Sequence, residues 1–437
     1  MIRFGNYSLV SILAILLLFS NQYRAQNNFD KSKIEVLLGK ITNYEYGKDR
    51  SPLSDFEAIV TNSLNSQSEL NFLEEKMIKV IESNSTIDGK RYACKILSKI
   101  GTSKSTSALI SLLKDNKTTN MARFALEKIN STEIDDQLLK VIDDENRLVK
   151  IGLINSLSVR RSEVAIDKLT DLAESEDVEI SIAAIMAIGK IGTSQSEIAL
   201  KKLYDKNLSN LSVIADAYLM IADSYLLKDE HQEASKIYDD IYNNEELEAQ
   251  RIAGLKGLIT SANTQQKKDS LIYSALSDPQ KEIQQVGISS IPLLSTNPEG
   301  NILTENFHKF PDEQKIQILK RIKIIEEDYY SDFVRNLVSN SSTPLRIAAI
   351  DCMQSLGDPS DIELLLKNCA VPELRNASRQ SLYGVKGIDF DNRLINIISM
   401  SQPADQIELI MAVGERNILK GFDAVYETAF SENNKVR

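Results

Sequence analysis

Apolar residues return along this chain in two interleaved tracks. Leu109, Leu138, Leu169 and Leu200 form one, Leu97, Leu126, Leu157 and Ile188 the other; in both, the steps are 29, 31 and 31 residues. Steps of this size mark a solenoid, whose helix pairs bury their apolar faces only against neighbouring pairs. The register is also visible as a motif, since Ile96–Ser105 reads ILSKIGTSKS and Ala187–Ser196 reads AIGKIGTSQS. Residues before the second track (Ile96, Ala125, Ser156, Ala187) are mostly small, as close helix packing requires. Within one unit, Ser105–Lys114 puts Ala108, Leu109, Leu112 and Leu113 on one helical face. Polar turns follow at Asp115–Asn116, Asp143–Asp144 and Glu176–Asp177 and are predicted to cap the next helix. The second helix, as in Val178–Ile188, is predicted to stop at Gly189 or Gly192.

These second helices carry a family resemblance. Val178, Ile182-Ala183-Ala184 and Ala187-Ile188-Gly189 resemble the second helix of a HEAT repeat, in the short bacterial form first associated with bilin lyases. Arg346-Ile347-Ala348-Ala349 with Ser355-Leu356-Gly357, and Ala412-Val413-Gly414, resemble further copies, so that the likeness covers most of Ser85–Arg437. It implies an all-α fold, an α-α superhelical solenoid of HEAT/ARM type coiling as a right-handed superhelix, with second helices lining the concave side. It implies a fold and not an activity.

The register slips in the middle. Tyr218, Ile221, Ala222 and Tyr225, then Ala234, Tyr238 and Ile241, resemble a TPR unit at residues 209–244, although Glu246 stands where its closing Pro belongs. A HEAT pair with long helices is the other reading; in either, the three tyrosines are expected in the core. Further helices are expected at Ile252–Leu258, Leu271–Leu276, Val286–Leu294, Gln314–Ile325 and Phe333–Val338, with second-helix positions at Leu356, Leu382 and Val413. Before the array, residues 26–84 are expected to cap it; HEAT repeats follow at 85–208, and HEAT-like repeats at 245–437. The next second-helix position falls due near 444 to 446, and Asn434–Arg437 reads as that helix's opening. This predicts that the sequence is a fragment and that repeats continue past Arg437; a natural terminus with a frayed last helix is the alternative.

Composition adds an address. Arg3 precedes an apolar run, Leu9–Phe19, and Asn21–Ala25 then turns polar and ends small, which reads as a secretory signal cut after Ala25. As a helix the run would span about 16 Å, half a bilayer core, so an anchor is disfavoured. An exported protein, periplasmic or secreted and without a membrane span after cleavage, is expected. Losing Arg3 and Arg24 leaves 49 basic against 62 acidic residues, a net −13. So acidic a chain is a poor binder of nucleic acid, whose phosphates need cations. Hydrophobic residues at 42 %, with 17 Gly, 9 Pro and no Trp, suit helices with short connections. Cys94, Cys352 and Cys369 read as buried free thiols, with a Cys352–Cys369 bridge the alternative that export would permit.

Catalytic chemistry is not evident. His231 and His308 lack metal-ligand spacing, and the sequence contains no nucleophile elbow, zincin helix, EF-hand loop or Walker loop. The bilin-lyase likeness does not extend to chromophore attachment, which would need a reactive Cys or His on a groove. Acid clusters (Glu174–Asp177, Glu245-Glu246, Glu326–Asp328) fall at turns and helix starts, where they favour the helix dipole. No enzyme activity, cofactor or metal is expected. Lys90, Arg91, Lys95, Lys99, Arg147, Lys150, Arg160 and Arg161 lie on or beside second helices. They form either a basic inner patch for an acidic partner or polyanionic glycan, or a solvated face. Two functions stay open: an exported scaffold binding a protein or peptide on its concave face, or the non-catalytic front part of a larger secreted carbohydrate-active enzyme.

Overall fold

The two apolar tracks become two kinds of helix that alternate along the chain. A computed structural model describes residues 29–143, 146–206, 209–244, 246–296 and 300–436. The apolar leader, Leu9–Phe19, lies outside the described residues. By packing, the chain divides into a unit ending at Ser224 and a unit beginning at Tyr225.

The first unit pairs α1 (Lys31–Thr42) with α2 (Ser51–Asn62), α3 (Gln67–Glu82) with α4 (Ile87–Ile100), and α5 (Thr106–Ser111) with α6 (Thr119–Lys128). It continues with α7 (Glu133–Val141) and α8 (Arg147–Val159), then α9 (Ile166–Ala173) and α10 (Val178–Ile191). α11 (Ser194–Asp205) follows, then α12 (Leu211–Leu226), which runs across the division. Second helices α4, α6, α8 and α10 pack side by side in one layer, and first helices neighbour one another in the other. All eight residues of the two tracks are fully buried between these layers, on α5, α7, α9 and α11 for the first track and α4, α6, α8 and α10 for the second.

The second unit repeats the arrangement. Its pairs are α13 (His231–Tyr242) with α14 (Glu248–Ser261) and α15 (Gln265–Leu276) with α16 (Lys281–Ser290); α17 (Ile302–Asn306) then packs on α15 and α18 (Asp312–Ile325) on α16. α19 (Ser331–Asn340) with α20 (Thr343–Leu356), α21 (Ile362–Cys369) with α22 (Pro372–Gly384), and α23 (Ile388–Ile397) with α24 (Pro403–Glu415) follow, before α25 (Phe422–Thr428). The fold is an all-α solenoid of stacked helix pairs, with no strand among the described residues. Residues 429–436 form turns and bends. One register needs correcting. Met353, not Leu356, lies one repeat before Leu382, because Arg346 and Arg375 occupy the same helix position 29 residues apart and Ser381 bonds the Ile350 carbonyl.

Capping differs from the expectation in part. Asp177 caps α10 through its side chain as expected, whereas α8 is capped by Asn146, outside the expected Asp143–Asp144 turn. At α6 the cap residue is Thr118, whose hydroxyl instead donates to the Leu112 carbonyl, while Asp115 accepts from Lys117 N within the turn. Gly192 ends α10 at φ +66, a left-handed conformation that costs glycine nothing. Gly189 is not a stop; it sits inside α10, and a Cβ there would meet the Ala217 carbonyl of α12 at 2.8 Å.

First-helix C-termini are closed by a device the sequence reading missed. One turn into the second helix, a polar side chain reaches back to a carbonyl at or just past the end of its first helix. Ser181 bonds Ala173 O (2.6 Å) and Arg251 bonds Tyr242 O (2.9 Å), while Gln284 bonds Asp278 O (2.7 Å) in the turn after α15. Arg346 and Arg375 bond Val338 O and Cys369 O, and Gln406 bonds Ile398 O just past α23. Where the carbonyl belongs to the last turn of the helix it has no partner within the helix, and such a bond is worth about 1 kcal/mol net.

Tyr218, Ile221, Ala222, Ala234, Tyr238 and Ile241 are buried, and Tyr225 is half-buried. The ring of Tyr238 lies directly over Gly257 of α14, where an added Cβ would sit 2.2 Å from a ring carbon. Gly257→Ala should therefore lower stability by about 1–3 kcal/mol through overpacking, although alanine favours an exposed helix interior. Denaturant unfolding followed by circular dichroism checks this; an unchanged midpoint would mean that Tyr238 does not rest there.

Candidate partner-binding face

Each second helix of the first unit buries one face and turns the opposite stripe outward. On α8 that stripe is Leu148, Ile151, Asn155 and Val159, with Leu148 68 % and Val159 57 % exposed. The corresponding residues on α10 are Glu179, Ile182, Met186 and Lys190, and on α6 they are Asn120, Phe124 and Lys128, with Phe124 49 % exposed. α4 contributes Asp88, Arg91, Lys95 and Lys99. Bonds between neighbouring helices hold equivalent positions side by side. Arg147 on α8 bonds Asp177 and Glu179 at 2.7 Å each, and Ser156 on α8 donates to Glu127 on α6 at 2.6 Å while accepting from Arg123. The result is an apolar strip over α6, α8 and α10, bordered by cations on α4 and at the helix C-terminal ends.

The eight predicted basic residues have different fates. Arg91 pairs with Asp88 on its own helix, and Lys95 reaches Glu57 of α2 at 2.8 Å. Lys99 is exposed and makes no ion pair among the described residues. Lys90 and Lys150 are half-buried. The Glu179 and then the Asp177 carboxylate hold the Arg147 guanidinium above the ordinary arginine range. Arg161 is exposed, at φ +52 just past α8.

Arg160 must be removed from the set. Its side chain is buried, paired with buried Asp135 of α7, and it donates to the Leu126, Ile129 and Ser131 carbonyls at 2.6–2.7 Å. It occupies the position that Ile100, Ile129 and Ile191 fill in other repeats, and an arginine there signals an internal latch rather than a surface charge. Arg416 repeats the latch in the second unit, bonding Asp391 (25 residues before it, as Asp135 is before Arg160) and the Leu382 and Tyr383 carbonyls. Conversely, sequence reasoning overlooked Lys128 and Lys190. Both are exposed without an ion pair among the described residues, and both share the repeat position of Lys99, which was the available signal.

Reactive groups are not gathered anywhere described. Cys94, Cys352 and Cys369 are free and buried, and burial pushes each thiol up to about 12, which keeps it protonated and a poor nucleophile. Cys352 donates to the Leu319 carbonyl at 3.1 Å instead of bridging Cys369. His231 and His308 are exposed on separate elements, and no group of three acidic, His or Cys residues among the described ones could hold a metal. A cleft of about 430 Å³ lies open between α13, α14 and α15, lined in part by His231, Lys236, Asp239, Leu258, Lys267 and Leu271. No helix among the described residues is long and apolar enough to cross a membrane.

Residues 134–211, from α7 to the start of α12, match the family model described as HEAT repeats. Among curated proteins, none matches the chain. Similar solved chains include Kap95p, in a study of how its binding induces the switch loops of RanGDP to adopt the GTP-bound conformation. It is 11 % identical with a TM-score of 0.41, over 92 % of this chain and 59 % of that one. Kap121p is 10 % identical with a TM-score of 0.38, over 94 % of this chain and 48 % of that one. Kap121p bound to Nup53p gives 10 %, 0.39, 94 % and 56 %. The chain thus spans about half the length of these proteins.

Proposed function

We propose that this array of HEAT-type repeats is an exported, non-catalytic scaffold that binds a protein or peptide on the second-helix face of its first unit. The observation that carries the reading is the contiguous strip of Phe124, Leu148, Ile151, Val159, Ile182 and Met186, apolar side chains that the core leaves at least partly uncovered. Val178, also exposed, opens α10 beside the strip, whereas Val36, Leu64, Val164 and Ile198 stand singly on other elements. Isolated ones are normal on any surface, whereas a bordered apolar strip is what a partner covers. The buried thiols and scattered histidines give no nucleophile or general base to argue for chemistry at the same place.

A photo-crosslinking amino acid placed at Phe124, and separately at Ile198 on α11, tests the site in the native host. An adduct of defined mass from position 124 and none from 198 supports it; equal adducts from both, or none from 124, count against it. Export rests on Arg3 and the Leu9–Phe19 run. N-terminal sequencing of the protein from its host should begin at or within a few residues of Gln26, and an intact Met1 would refute export.

A further inference from the structure

We infer that the occupant of this face is an acidic amphipathic peptide segment, bound with its apolar side on the strip and its carboxylates toward the lysine row at the helix C-terminal ends. The inference rests on the binding face proposed above and adds the chemistry of the partner. Its argument is charge complementarity. Lys99, Lys128 and Lys190 share one repeat position on α4, α6 and α10, all exposed and without ion pairs among the described residues. Arg91 and Lys95 stand on the same stripe of α4 but are paired with Asp88 and Glu57, so the three lysines carry the charge argument. The chain as a whole is acidic, at −11, so this row is a local reversal of sign. The apolar strip lies beside that lysine row. A ligand with one apolar face and acidic residues along one edge matches both the strip and the row, and such sign matching sets specificity and orientation more than raw affinity.

The probe is a fluorescent amphipathic helical peptide of Leu, Phe and Glu, compared by anisotropy with a counterpart carrying Lys for every Glu, on the full chain. The acidic peptide should bind about ten-fold or more tightly than the basic one, with a preference that weakens as salt rises. Combined Lys99→Glu, Lys128→Glu and Lys190→Glu substitution should reverse the preference, and combined Phe124→Ser and Leu148→Ser should weaken both peptides. If the charge-reversed variant keeps the acidic preference while the apolar variant loses binding, the charge inference falls and the binding face stands. If both variants bind like the parent, the binding face itself falls. If the acidic peptide does not bind at all, or if dextran sulfate binds and is indifferent to Phe124→Ser, the inference is overturned, in the latter case in favour of a polyanion.

Discussion

Arg160→Ala should destabilise the first unit by about 3–5 kcal/mol, the cost of leaving a buried charge without its partner. The guanidinium holds the Asp135 carboxylate of α7 and three carbonyls at the end of α6, so one side chain ties the last turn of α8 to both helices before it. Removing it strands a buried carboxylate and leaves those carbonyls dependent on water they do not easily reach. The next repeat shows what an apolar solution looks like. Ile166 and Ile191 occupy the positions of Asp135 and Arg160, and both are buried. The double substitution Asp135→Ile with Arg160→Ile should therefore recover at least half of the loss, because apolar replacement of a buried pair is often neutral. Urea unfolding of the three variants checks this. A double variant as unstable as Arg160→Ala would mean that the carbonyls, not the ion pair, set the cost.

Leu126→Ala should cost about 2–5 kcal/mol as a large-to-small change at a fully buried site. α6 stands between α4 and α8 in the second-helix layer, so the cavity would loosen contacts on both sides. In a stack whose units supply each other's core, such damage is local before it is global. Hydrogen exchange should accelerate in α4, α6 and α8 and leave the second unit unchanged, while the denaturant midpoint falls. An unmoved midpoint would show that the second track is misregistered at this position.

Repeat spacing made the buried layer legible, because eight positions at identical intervals leave one helical register in which all can share a core. Their burial follows without adjustment. What could not be read was anything decided by a single side chain across a repeat boundary. Within its own segment Arg160 reads as a surface cation, and only the repeat position that it shares with Ile100 and Ile191 marks it as internal. Gly101 and Gly192 sit in the same Ile-Gly-Thr-Ser sequence yet take different backbones, at φ −65 and +66. Buried Glu74 of α3 explains the first, accepting from the Thr102 amide and hydroxyl and from Ser105, and nothing within the motif encodes that contact. The basic patch was half legible: its α4 members are on the outward stripe, but their importance depends on the apolar strip beside them, which no charge pattern could show.

If the outward strip serves a partner rather than the fold, stability and binding should separate. The measurement is a pair of titrations on the combined Phe124→Ser and Leu148→Ser variant, one with urea and one with the fluorescent acidic peptide. Because Phe124 is 49 % and Leu148 68 % exposed, the unfolding free energy should fall by no more than about 2 kcal/mol, short of what a core truncation costs. Peptide affinity should drop about ten-fold or more, as when central apolar anchors of an interface are truncated. A variant that loses stability and keeps its affinity would contradict this reading, and would make the strip part of the core.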